Sequence, residues 1–208
     1  LHSTSRRQRQ MCIRDRLTVG YFTYNHMSAE SRGVENYSEA LEAYKSSDYE
    51  KAYEEFAKVP SGSTLKPSAL FRQARCATNM DKKELAIKKY NRIVHSSVKS
   101  SIAPISEYNM ANLMFEIQDK GAKKHFKKII KKYPTSDYAV ASNYYLGLIE
   151  VSNPPKSERG LKKSKNRAFI YFKNYLEEAP DGRFALKTID EIKKLGVQLL
   201  SLIHISEP

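Results

Sequence analysis

The chain has 208 residues, 36 of them basic and 23 acidic, a formal net charge of +13, no tryptophan and eight glycines. No internal run approaches the roughly 18 consecutive apolar residues of a membrane-spanning helix. Glycines scattered singly argue against a sandwich or barrel, which needs frequent turn clusters between alternating strands.

The two ends stand apart from the rest. Arg6 to Arg16 reads RRQRQMCIRDR, and one DNA coding for it carries, on its opposite strand, a frame for Leu-Ser-Leu-Ile-His, the sequence of Leu200 to His204. Unrelated ends of a natural gene have little reason to encode each other's reverse complement. The pair resembles a transposon-type sequencing adapter translated in frame at both ends of a fragment. Residues 1–16 and 200–208 are therefore expected to be adapter sequence and are set aside. The remainder has 31 basic and 21 acidic residues, a net +10, and one cysteine, Cys76. No disulfide can form within it, so cysteine usage says nothing about redox compartment.

Next comes Leu17 to Tyr24, LTVGYFTY. Eight residues are too few for hydropathy to separate an ordinary helix or strand start from the stump of an anchor. Two readings of residues 17–28 stay open, the remnant of a membrane anchor or signal segment and an ordinary helix or strand start. A helix is expected from about Ser28, and residues 29–199 as one helical repeat domain.

Self-similarity organises this middle part. Ser38 to Val59 aligns with Arg72 to Ile93, pairing Ala40 with Ala74, Ala43 with Ala77, Ala52 with Ala86, Phe56 with Tyr90 and Val59 with Ile93, each pair 34 residues apart. The spacing small, aromatic four on, apolar three on puts all three on one helical face. It recurs as Ala122, Phe126 and Ile129, then as Ala168, Phe172 and Tyr175. Ala40, Ala74, Ala111 and Gly147 are the small residues of the preceding helices. The third unit lies 36 residues on, with a turn shorter by one residue, and the fourth carries an insertion, Ser152 to Asn166, between its helices. Asp181 is expected to cap a last helix whose Phe184, Ala185, Ile189, Ile192 and Leu195 form one stripe, closed by Gly196.

A 34-residue helix-turn-helix unit with this small-and-aromatic pattern, with DYEKA at Asp48 to Ala52 and LG at Leu146 to Gly147, resembles the tetratricopeptide repeat (TPR) family from about Tyr37 to Pro180. The resemblance implies an all-α, right-handed TPR-like solenoid of about four helical hairpins plus a C-terminal capping helix. It also implies a non-catalytic scaffold whose first helices line a concave, peptide-binding groove. In that register the groove-facing residues are Tyr37, Leu41, Tyr44, Phe71, Arg75, Tyr108, Asn112, Phe115, Tyr144 and Leu148. Aromatic surface with a few polar groups suits a peptide, because arginine or asparagine can hold its backbone or a carboxylate.

Catalysis is not expected. No His-x-x-x-His or comparable ligand spacing occurs. The nearest glycines are thirteen residues apart, too far for a phosphate-cradling loop. Cys76 reads as structural, and no cofactor or metal is called for. The lysine run Lys123, Lys124, Lys127, Lys128, Lys131 and Lys132 raises an alternative, an electrostatic binder of nucleic acid or anionic membrane. These lysines flank the apolar Ala122, Phe126 and Ile129, and no aromatic-basic nucleic-acid motif accompanies them, so a solvated face is the expectation.

The junction Tyr133 to Leu148, YPTSDYAVASNYYLGL, resembles those of bacterial cell-envelope TPR proteins of three types: the Tol-Pal-associated coordinator, the outer-membrane assembly lipoprotein and the translocon-associated anchored protein. That resemblance implies a protein or peptide partner on the periplasmic side, with an anchor truncated at the N-terminus.

Overall fold

Three turns share one backbone device. Ser47, Asp81 and Gln118 adopt left-handed φ values of 64°, 56° and 58°. In each, that residue's N–H donates to the carbonyl three back, of Tyr44, Thr78 and Phe115. The following N–H donates five back, to Ala43, Ala77 and Met114. This double closure satisfies the last carbonyls of one helix and turns the chain into the next.

The computed structural model describes residues 28–96 and 101–196. The expected adapter ends and the segment up to Met27, read as an anchor remnant or an element start, lie outside the described residues. Every regular element among those described is a helix: α1 (28–45), α2 (Tyr49–Lys58), α3 (Lys66–Asn79), α4 (Lys83–Val94), α5 (Ala103–Glu116), α6 (Ala122–Lys132), α7 (Asp137–Ser152), α8 (Glu158–Glu178) and α9 (Ala185–Lys194). None is long and apolar enough to cross a membrane. The chain divides into two compact units, α1–α4 and α5–α9.

In the first unit the core is Ala40, Ala43, Ala52, Phe56, Val59, Ala69 and Cys76. Asp48 caps α2, its carboxylate accepting the Lys51 N–H at 3.1 Å. The small residues expected at the helix crossings, Ala40, Ala74 and Ala86, have no exposed surface.

In the second unit α7 packs against α6 on one side and α8 on the other. Ala122 follows its left-handed residue by four positions, whereas Ala52 and Ala86 follow theirs by five. This is the one-residue-shorter turn expected of the third repeat. The insertion does not form a loop. Only 153–157 link the helices, and Ser157 caps α8 by accepting the Gly160 N–H at 3.2 Å. The rest of the insertion lengthens α8 to 21 residues, against 11 in α6.

Asp181 does not cap the last helix. That helix begins at Ala185, with Phe184 at the N-cap and no side-chain cap. The buried Phe184 donates its N–H to the Tyr175 hydroxyl at 3.0 Å, which holds 180–184 as turns. At the other end Gly196, φ 73°, ends the helix as expected.

Gly147 shows how tight the crossings are. A Cβ there would lie 2.6 Å from Phe172 Cδ1 and closer still to Cε1. Alanine is the better helix former by about 0.5–1 kcal/mol, but overpacking of a filled core costs about 1–3 kcal/mol. The clash wins. Gly147→Ala is therefore expected to lower the urea midpoint of the α5–α9 unit; an unchanged or raised midpoint would show that the Phe172 ring can yield.

Candidate functional site

In α1, Tyr37, Leu41 and Tyr44 fall at spacings of four and three and so share one face. All three are half-buried against the first-unit core. Tyr37 stands edge-on to Phe56 at 5.3 Å, Tyr44 to Tyr49 at 5.5 Å, and Phe71 of α3 to Tyr90 at 5.8 Å. Each first-helix ring thus leans on a ring of its own hairpin's second helix and remains half-buried. The guanidinium carbons of Arg72 and Arg75 lie 5.5 and 5.7 Å from the Tyr44 ring centroid. Among the described residues neither arginine has a carboxylate partner. Sequence reasoning selected Arg75 but passed over Arg72, one helical turn before Cys76.

The second unit treats its selected residues differently. Tyr108 and Tyr144 are only 6% and 7% exposed. They are packed between helices rather than displayed on a groove. The Tyr144 ring stacks on Phe184 at 4.4 Å, and Tyr108 meets Phe126, Tyr138 and Tyr145. Burial pushes the Tyr108 phenol up to about 12. Asn112 is half-buried, Phe115 leans on Tyr145 at 5.5 Å, and Leu148 packs into the α7–α8–α9 cluster. The edge of Tyr108 still reaches a cavity of about 310 Å³, whose wall includes Tyr138, Tyr175 and Phe184, with Asp137, Glu178 and Arg183 among its charged lining residues. The Arg183 guanidinium sits 4.3 Å over the Phe184 ring.

Residues 68–100 and 106–136 each match the model of the tetratricopeptide repeat family, and each match takes in one helical hairpin, α3–α4 or α5–α6. These two hairpins match tetratricopeptide repeats. A crystal structure of MamA protein superposes with a TM-score of 0.55 over 85% of this chain and 97% of that one, at 14% sequence identity. No curated protein matches the sequence significantly.

Two charged groups of the α5–α9 unit were not anticipated. Glu107 of α5 has no exposed surface, and its Oε1 lies 2.6 Å from Lys128 Nζ and 3.2 Å from His125 Nδ1. Glu150 of α7, 4% exposed, holds Lys123 of α6 at 2.5 Å and the Nε and Nη2 of Arg167 on α8 at 2.9 and 2.8 Å. Ser164 donates to both its carboxylate and its backbone carbonyl. Two of the six lysines expected on a solvated face therefore staple α6 to its neighbours. The sequence signal was an acid inside an otherwise apolar helix, followed by a lysine-rich one.

Burial alone would raise the Glu150 carboxyl, but the bonds from Arg167, Lys123 and Ser164 outweigh it and hold the group at about 2. The same balance, with His125 and Lys128 as donors, lowers Glu107. A carboxyl depressed on folding contributes stability above its unfolded pKa, near 4.5 for glutamate, and loses it as pH falls toward its folded value. Glu150→Gln is expected to cost about 2 kcal/mol at pH 7, in the range of bonds to charged groups. In urea titrations across pH the gap from wild type should close between about pH 4.5 and 2.5. A gap that is constant with pH would mean that the ionised carboxylate is not what stabilises the junction.

Proposed function

We propose that the chain is a non-catalytic scaffold that captures an extended segment of a partner protein on the first-helix face of its α1–α4 unit. The supporting observation is the shelf of Tyr37, Leu41, Tyr44 and Phe71 bordered by Arg72 and Arg75. Tyrosine supplies contact area at low entropic cost. Two unpaired guanidiniums on one ring offer forked donors for a carboxylate or for peptide carbonyls. In the α5–α9 unit the same register supplies Asn112, Phe115 and Leu148 at the half-buried edge. Tyr108 and Tyr144 act there as supports, so replacing them would disturb packing before it tested binding.

Panning a random peptide library on the immobilised chain supplies the ligands for a test. Tyr44→Ala combined with Arg75→Ala is expected to weaken the selected peptides by about tenfold or more, as loss of a buried anchor and its charged partner does, with helicity by circular dichroism unchanged. Peptides that bind the double variant as well as wild type would place capture elsewhere.

We also propose the periplasmic side of a bacterial cell envelope as its location, supported by the likeness of the Tyr133–Leu148 junction to repeat junctions of envelope proteins. Fractionation of cells expressing the complete gene should recover the product with the envelope. Recovery in the cytosol alone would rule the location out.

A further inference from the structure

The lengthened α8 has two faces. Ser164, Ala168, Phe172 and Tyr175 are buried, and the ring of Phe172 meets α7 at Gly147. A second stripe, Glu158, Leu161, Lys162, Lys165, Asn166 and Phe169, runs at helical spacing along one side. With Leu195 at the end of α9 it lines an open groove of about 500 Å³. The two helices differ in length, 21 residues in α8 and 10 in α9. At about 1.5 Å per residue α9 spans roughly 15 Å of the roughly 31 Å of α8. Phe169 and Leu176 of α8 pack in the cluster that α9 completes. Leu161 has no such cover and is 37% exposed.

The charge on this stretch is not spent on stability. Among the described residues Lys156, Arg159, Lys162, Lys163 and Lys165 have no carboxylate partner, and Arg167 alone is held, by Glu150. Arg159 also occupies the first turn of α8, where the helix dipole disfavours a cation. A local rule broken without a compensating contact inside the molecule points to a partner outside it.

We propose that this groove docks a short acidic amphipathic helix of a partner protein, its apolar side chains on Leu161, Phe169 and Leu195 and its carboxylates against Lys162 and Lys165. The uncovered length, about 16 Å, fits two to three helical turns. A concave groove with an apolar floor takes the protruding side chains of a helix, which a flat lipid surface does not offer. Residues 197–208 of the chain itself carry one acidic side chain, Glu207, and so do not supply the complementary charge. This surface is separate from the α1–α3 shelf, so the two readings stand or fall apart.

The test is fluorescence anisotropy on the full chain. The probe is a labelled synthetic peptide of about 12 residues, leucine on one helical face and glutamate on the other. Lys162→Glu combined with Lys165→Glu is expected to weaken binding by about tenfold or more, and Leu161→Ser to weaken it as well. Lys124→Glu with Lys127→Glu, exposed on α6, should leave binding within about twofold and control for net charge. A lysine-for-glutamate version of the peptide should not bind. Absence of binding, equal binding of both peptides, or equal loss in both charge-reversal variants would overturn the proposal. So would binding confined to phosphatidylglycerol vesicles, which would make the stripe a lipid contact.

Discussion

The fold depends on how closely the first helix of each hairpin can approach a ring on the second. Gly147 is the limiting position, because the face of Phe172 occupies the space a Cβ would need. A glycine inside a helix costs about 0.5–1 kcal/mol, while fully burying a phenylalanine contributes about 1.5–3 kcal/mol. The exchange favours the small residue. Ala40, Ala74 and Ala111, all without exposed surface, serve the same approach where slightly more room is left. Once the crossings are fixed, the Tyr44 ring is carried to the surface and the Tyr144 ring into the core.

Close packing fixes apolar surfaces but does not settle the charges trapped between them. Desolvating Glu107 and Glu150 is unfavourable unless each gains well-placed cations. Lys128 and His125 serve Glu107; Lys123 and Arg167 serve Glu150 from helices on either side of it. The second pairing connects α6, α7 and α8 through one carboxylate. Ser164, brought opposite Glu150 by the added turns of α8, completes it. The insertion is thus built into the repeat that it interrupts.

The helices and their crossings were legible because they obey a period: the 34-residue offset and the small-aromatic-apolar spacing fix which faces meet. The shortened third turn was legible too, since it changes only how far Ala122 follows Gln118. What the sequence concealed depends on tertiary partners. Asp181 has the chemistry of a cap, yet Phe184, bonded to the Tyr175 hydroxyl, is the N-cap and the helix starts three residues later. Tyr108 and Tyr144 stand at groove positions by register, but the neighbouring rings of Tyr138, Tyr145 and Phe184 close over them. An aromatic stripe looks the same in sequence whether its second side meets solvent or another ring. Glu107 and Glu150 were read past for the converse reason: an acid is surface by default, and only a neighbouring helix supplies the cations that let it be buried.

These pairings also change what the basic excess means. Where Lys123, Lys128 and Arg167 are bound to internal carboxylates, their charge is largely cancelled locally and adds little to long-range attraction. Among the described residues, two sets of cations without a carboxylate partner stand out, two guanidiniums around Tyr44 and a group along the first turns of α8, while others such as Lys124 and Lys127 lie on the exposed face of α6. The first two sets lie beside half-exposed apolar surface, unlike the α6 lysines. Polyanion binding needs an extended field tracking a backbone of regular charge, whereas a protein partner needs a few charges around an apolar anchor. The two sets beside apolar surface therefore fit the protein partners proposed above better than a polyanion.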